Sequence, residues 1–188
     1  MPLKIALFAS GSGSNAENII THFANDEKFA FPVIISNKQD AFIHNRAKSL
    51  GVPSFTFSRE DFLKGEPVLD FLKKYEIDCI VLAGFLLKVP EVLINAFPNK
   101  IINIHPALLP KCGGKGMYGH YVHEAVAASG DTESGITIHY VNAHYDEGNI
   151  IFQAKCPVLP TDTPDTIAEK VHALEYEHFP RVIGEIWG

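Results

Sequence analysis

The sequence has little of what usually assigns a protein to a class at once. Its 188 residues hold only three cysteines, one tryptophan and two methionines. The cysteines, Cys79, Cys112 and Cys156, form no Cys-x-x-Cys pair and are odd in number. That argues against a disulfide scaffold or a cysteine-rich zinc site and favours a reducing compartment. Cys79, inside Cys79-Ile80-Val81-Leu82-Ala83, reads as a small buried hydrophobe rather than a nucleophile. No uncharged apolar run approaches the roughly 18 residues of a membrane span. A Lys/Arg block is also missing, and 16 basic against 22 acidic residues give a formal net charge of -6. Neither nucleic acid nor a membrane surface is the expected partner, although local basic groups can still serve small anions. Met1-Pro2-Leu3-Lys4 runs straight into a strand-like segment, without the apolar region and cleavage site of a signal peptide, so the cytoplasm is expected. Repeats, linkers and low-complexity segments are absent, and 46% hydrophobic residues suffice for one core. One domain over 1–188 is expected.

What is present alternates. Apolar runs at Lys4–Ala9, Pro32–Ser36, Ser54–Phe57, Cys79–Ala83 and Ile101–His105 read as strands. Asn15–Ala24, Ala41–Leu50 and Glu60–Tyr75 carry apolar residues at helical spacing. Strands apolar on both faces suit a parallel sheet covered by helices on each side. The pattern predicts an α/β fold with a doubly wound, mostly parallel sheet. After His105 come a Gly-rich loop over Lys111–Gly119, a helix over His120–Ser129, and strands at Ser134–Asn142 and Asn149–Pro157. The short connector Ala143–Gly148 makes that C-terminal pair antiparallel. Thr163-Pro164-Asp165 opens a last helix that runs towards Trp187.

The most informative segment is Ile101-Ile102-Asn103-Ile104-His105-Pro106-Ala107-Leu108-Leu109-Pro110. Residues two apart on a strand share a face, so Asn103 and His105 project together from its carboxyl end. Open α/β sheets place ligand crevices at that end. An amide and an imidazole can both donate to a developing oxyanion; a turn Asn beside a capping His is the plainer alternative. The turn Ser10-Gly11-Ser12-Gly13-Ser14-Asn15-Ala16 follows a strand and opens a helix, an arrangement suited to phosphate. It also satisfies a relaxed dinucleotide fingerprint. The NAD reading, however, needs an acid at the end of strand two, where Ile34-Ile35-Ser36-Asn37 stands. A purely structural turn is the third reading. Asp146, in Ala143-His144-Tyr145-Asp146-Glu147-Gly148, could hold His105 charged or relay a proton, and is equally compatible with ordinary turn chemistry. Glu175 and Arg59 have no local distinction. The nine histidines match no common zinc spacing, and His120 and His123 read as solvated or hydrogen-bonded; no metal is expected. His139 is set apart, because it shares a strand face with Thr137.

Together these residues resemble the phosphoribosylglycinamide formyltransferases, over nearly the whole chain. The resemblance is carried by Ser10–Asn15, Val81-Leu82-Ala83-Gly84-Phe85, Asn103 through Pro110, Gly135–Val141, Asp146-Glu147-Gly148 and Glu175 through Pro180. It implies that 10-formyltetrahydrofolate donates a formyl group to the amine of glycinamide ribonucleotide. It further implies a catalytic trio of Asn103, protonated His105 and Asp146, with His139 behind it. On the substrate side it implies a phosphate cradle of Gly13, Ser14 and Asn15 with Arg59, followed by Gly84 and by Glu175 at the amine or ribose. The pterin pocket would be lined by Phe85, Leu86, Leu87, Lys88 and Val89, with Asn103 and the connector Asn142, Ala143, His144, Tyr145 and Asp146. Residues 1–100 would then form the phosphate-binding half and 101–188 the catalytic, folate-binding half of a monomer or weak homodimer. Two departures stand out. Leu87, followed by Lys88, replaces a common arginine, and the Lys111–Tyr121 flap is longer than usual. Other formyltetrahydrofolate-dependent transferases or hydrolases, an NAD oxidoreductase and a phosphometabolite sensor are the rival readings.

Overall fold

A computed structural model describes residues 1–188. The chain begins β1 (Leu3–Phe8), α1 (Ser14–His22), β2 (Phe29–Ser36), α2 (Ile43–Leu50) and β3 (Ser54–Thr56). It continues α3 (Arg59–Lys64), α4 (Glu66–Lys74), β4 (Cys79–Leu82), α5 (Glu91–Ala96) and β5 (Ile101–His105). The last elements are α6 (His120–Ser129), β6 (Glu133–Tyr140), β7 (Ile150–Pro157) and α7 (Pro164–Trp187). All seven strands join one sheet in the order β3-β2-β1-β4-β5-β6-β7. The first five run parallel, and β6 and β7 reverse direction in turn. The sheet is the expected doubly wound one, with its antiparallel C-terminal pair.

Period-two alternation on β1 divides its side chains between two cores. Ile5 and Leu7 enter a large cluster with residues of α1, α2 and α7, while Ala6 and Phe8 face a smaller one with α3, α4 and α5. Both faces are covered, so all four residues are fully buried, and the strand reads as an unbroken apolar run. Phe62, at the heart of the smaller cluster, packs edge-on against Phe8 with ring centroids 6.0 Å apart. Phe62→Ala should cost about 3–5 kcal/mol, read as a lower denaturation midpoint at unchanged slope. Cys79 is buried in the larger core, and burial pushes its thiol up to about 11, as befits an inert core residue.

Two elements differ from expectation. The helix expected over Glu60–Tyr75 is two helices, α3 and α4. Gly65, between the two, has φ +84°, a conformation no helix continues through, and Pro67 then stands in the first turn of α4, where its missing N–H costs nothing. The six-residue α5 follows Pro90 and was not anticipated, being too short to show periodicity. The last helix starts where its sequence signal stands. Thr163 accepts from the Thr166 N–H, and Thr166 Oγ1 accepts from the Thr163 N–H, a reciprocal cap.

The chain leaves β1 towards β2 and β3, then returns to build β4 and β5 on the other side. The loops after β1 and β4 meet at that reversal. The Ser10 N–H donates to Gly84 O at 3.0 Å, and Ser10 Oγ accepts from the Leu86 N–H at 2.9 Å. A crevice therefore opens at the carboxyl ends of the central strands.

Candidate active site

The crevice is a cavity of about 650 Å³ that holds both polar residues of β5, a volume ample for a ligand of drug size. Register places them. Asn103 pairs across the strand with His139, and His105 with Thr137, so four side chains share one face. Thr137 Oγ1 donates to Ala107 O at 2.7 Å and accepts from the Leu109 N–H at 3.0 Å. Gln153 adds a bond to Leu109 O at 3.1 Å. The turn after His105 is thereby pinned to β6 and β7.

The hydrogen bonds assign tautomers. His139 Nδ1–H donates to Tyr140 O at 2.9 Å, which leaves the Nε2 lone pair to accept from Asn103 Nδ2 at 3.2 Å. His139 thus holds the amide and leaves its second N–H free. His105 Nε2–H donates to Cys112 O in the flap at 2.7 Å, while Nδ1 faces Asp146 Oδ2 at 3.6 Å. Asp146 Oδ2 also accepts from the Gly114 N–H at 2.9 Å, and Oδ1 lies 3.6 Å from His139 Nε2. Asp146 has φ +55°, a left-handed conformation that an aspartate tolerates in a turn. Turn and charge partner are here the same residue.

Burial opposes the Asp146 charge, but His139, His105 and the Gly114 N–H outweigh it and hold its carboxyl below the usual value. His105 goes the other way. Burial pulls it below an ordinary imidazole although Asp146 and the Cys112 carbonyl favour its charge. Burial thus works against the charge that the resemblance assigns to His105, and Asp146 works for it. His123 is lowered as well, again chiefly by burial. For both, the unfolded chain binds protons more readily, so their stabilisation is present above about pH 6.5 and is lost as pH falls towards the folded value. His172 is shifted oppositely, raised first by its bond to Glu175, and its contribution is lost as pH rises. It is half exposed, so solvent screens it more. Denaturation midpoints should therefore drop between about pH 7 and pH 5.5; a flat profile would contradict this balance.

At the other end of the cavity lie Gly11 through Asn15, with the α1 amides directed outward. Gly13 has φ +71°, and an added Cβ would stand 2.1 Å from Ile43 Cδ1, so the turn both needs a glycine and leaves no room for more. Arg59 is exposed at the rim. Arg46 is not available there, because Nε donates to Ser12 O and NH1 pairs with Glu17. Asn15 is turned inward. Its Nδ2 donates to Glu175 Oε2 at 3.1 Å, an oxygen that also accepts from His172 Nδ1 at 2.7 Å. Asn15 therefore ties α1 to α7, so its side-chain amide is directed at Glu175. Glu175 is only 6% exposed, not the solvated residue its local sequence suggests.

The cavity also meets Gly84, Phe85, Leu86, Leu87, Lys88, Val89, Asn142, His144 and Tyr145, but not Ala143. Phe85 and Val89 are buried, Phe85 against Phe8 and Phe62, so they back the wall while Leu86 and Lys88 reach its surface. Flap residues Gly114 through Gly119 close another side. Two lining histidines are not assigned to the site by the sequence, His123 and His172. The signal for His123 was its place beside Val122 and Val126 on the buried face of α6; an isolated histidine at such a position is easily dismissed. The acid missing after β2 has a structural counterpart: Asn37 Oδ1 accepts from Ser10 Oγ at 2.6 Å and leaves no carboxylate for a ribose.

A family model described as formyl transferase matches residues 3–183. The chloroplastic phosphoribosylglycinamide formyltransferase of Arabidopsis thaliana is 41% identical over 97% of this chain, which spans 65% of that relative's own length. The enzyme of the same name from Bacillus subtilis is 34% identical, with 98% of this chain and 95% of the relative covered. Among solved structures, glycinamide ribonucleotide transformylase 1 from Geobacillus kaustophilus superposes with a TM-score of 0.91 at 32% identity, over all of both chains. Phosphoribosylglycinamide formyltransferase from Streptococcus pneumoniae gives 0.86 at 35%, over 98% of this chain and 99% of that one.

Proposed function

Since the chain belongs to the formyl transferase family, and within it to the phosphoribosylglycinamide formyltransferases, we propose that it transfers a formyl group from 10-formyltetrahydrofolate to the amine of glycinamide ribonucleotide. The observation that carries this reading is that Asn103, His105 and Asp146 share one cavity with the Gly13–Asn15 cradle. Acyl transfer to an amine needs an anion site, an oxyanion site and a proton route, and the cavity offers groups for each.

Phosphate is held by the amides of Gly13 and Ser14, with Arg59 adding charge at the rim. Glu175 faces the amine or ribose. Its Oε2 is occupied by Asn15 and His172, so Oε1 is the oxygen left for substrate. The pterin lies against Leu86 through Lys88, Asn142 and His144 to Asp146. As the amine attacks the formyl carbon, negative charge grows on the formyl oxygen. The free N–H of Asn103 meets it, oriented by His139. His105 becomes the second donor once Cys112 O gives up its Nε2–H, and the growing anion together with Asp146 favours a proton on its ring. Asp146, through water, moves a proton towards the departing folate nitrogen.

The test is an assay with both substrates, following formation of tetrahydrofolate and formylated ribonucleotide. No turnover by folded protein would remove the proposal. Asn103→Ala should lower kcat about 10²–10³-fold, as loss of one oxyanion donor does, with KM for the ribonucleotide nearly unchanged. A variant with wild-type kcat would take Asn103 out of the reaction.

A further inference from the structure

His123 lies on the innermost face of α6 and is 7% exposed. Its Nδ1 is sealed from solvent without a hydrogen-bond partner, as is Asn15 Oδ1. Both residues border the catalytic cavity. A buried polar atom left unpaired is destabilising, and two of them beside one carboxylate point to a use. The charged or titratable groups around the His123 ring are Glu175 and His172 on α7, His105 on β5 and His120 on its own helix. The ring shares the cavity with Glu175, placed to face the substrate amine, and with His105, placed to face the formyl oxygen. Its Nε2 is not sealed and has no partner in the protein, so it is the ring atom open to the cavity.

The reaction of the preceding section leaves one requirement unmet. An amine of this kind has a pKa near about 8 and enters mostly as an ammonium. An ammonium has no lone pair, so a base must take a proton before attack. Glu175 attracts the ammonium, but its Oε2 is already engaged by Asn15 and His172. His105 is engaged by the flap and by Asp146. We propose that His123 is a further catalytic residue, the base that accepts this first proton on Nε2. The ammonium N–H bond breaks, its electron pair stays on nitrogen as the nucleophile, and the proton resides on His123 until it returns to solvent. Burial keeps the ring neutral beforehand, and the Glu175 carboxylate stabilises the imidazolium that forms.

The inference rests on the formyl-transfer reading, and its test separates the two. His123→Gln keeps a side chain that can hydrogen-bond but cannot take a proton. At pH 7 about a tenth of an amine with a pKa of about 8 is already neutral, so the variant's kcat/KM for the ribonucleotide should fall about tenfold, with KM for the folate unchanged. At about pH 9 the ammonium loses its proton unaided, and the variant should recover most of the wild-type rate. A deficit of equal size at both pH values, or no deficit, overturns the proposal. The second measurement needs no turnover and no variant. In side-chain imidazole NMR of the wild-type protein at pH 7, the His123 ring should be neutral and should shift on adding glycinamide ribonucleotide, but not ribose 5-phosphate, which lacks the amine. An unmoved ring, or an equal response to both, also overturns it.

Discussion

Asp146→Asn should abolish nearly all turnover, by about 10³-fold or more, while the protein remains folded. Asparagine has the size of aspartate, and its amide oxygen can still accept from the Gly114 N–H, so the flap contact survives. What disappears is the negative charge beside two buried imidazoles at 3.6 Å. His105 already lies below an ordinary imidazole because it is buried; without the carboxylate, nothing nearby of comparable strength favours its proton as the oxyanion grows. The proton route to the folate nitrogen is lost as well. Steady-state kinetics should show the fall in kcat with modest KM changes, and thermal melting should show a folded protein. A kcat within about tenfold of wild type would mean that Asp146 only shapes the turn.

The second large effect concerns a glycine. A Cβ added at Gly148 would stand 1.6 Å from Tyr140 O and 2.7 Å from its carbonyl carbon, with His139 Nδ1 at 3.5 Å. Backbone, not a flexible side-chain tip, is in the way. Tyr140 also donates its N–H to Asn149 O at 2.9 Å, so it cannot retreat without opening the end of the β6–β7 ladder. Gly148→Ala should therefore cost about 3 kcal/mol or more, the upper range of overpacking. It should also lower activity beyond the loss of folded protein, because the connector that moves carries Asp146 and the carbonyl that moves holds His139. Urea denaturation and activity per folded molecule would measure the two effects separately. Full activity at unchanged stability would mean the connector has slack the structure does not show.

How much of this was readable in advance depended on how local each signal is. Strand β5 could be found residue for residue, because an apolar run ends in a proline and its period is two. The pairing of Asn103 with His105 followed from the same period. The break between α3 and α4 was missed, because apolar spacing runs through Pro67 without a change of phase. Other residues depend on contacts far along the chain and leave no local trace. Glu175 meets Asn15 across 160 positions, and Asp146 meets Gly114 across 32. Resemblance brought Glu175 and Asp146 into the site; neither periodicity nor propensity could. The charge state of His105 stays open to a sequence, which shows the partner but not the burial that opposes it.

The flap reaches His105 and Asp146 with its main chain alone. Cys112 offers a carbonyl and Gly114 an N–H, and neither contact uses a side chain. Every amino acid supplies a carbonyl, and every one but proline supplies an N–H. The clasp needs no flap side chain, but it needs this backbone path: Cys112 has φ +53° and Gly114 φ +93°, left-handed conformations that few residues adopt at no cost. Selection can recolour the flap's outer face without unfastening it from His105 and Asp146, and the substitutions that would loosen the clasp are those at its restricted positions, Gly113 and Gly114.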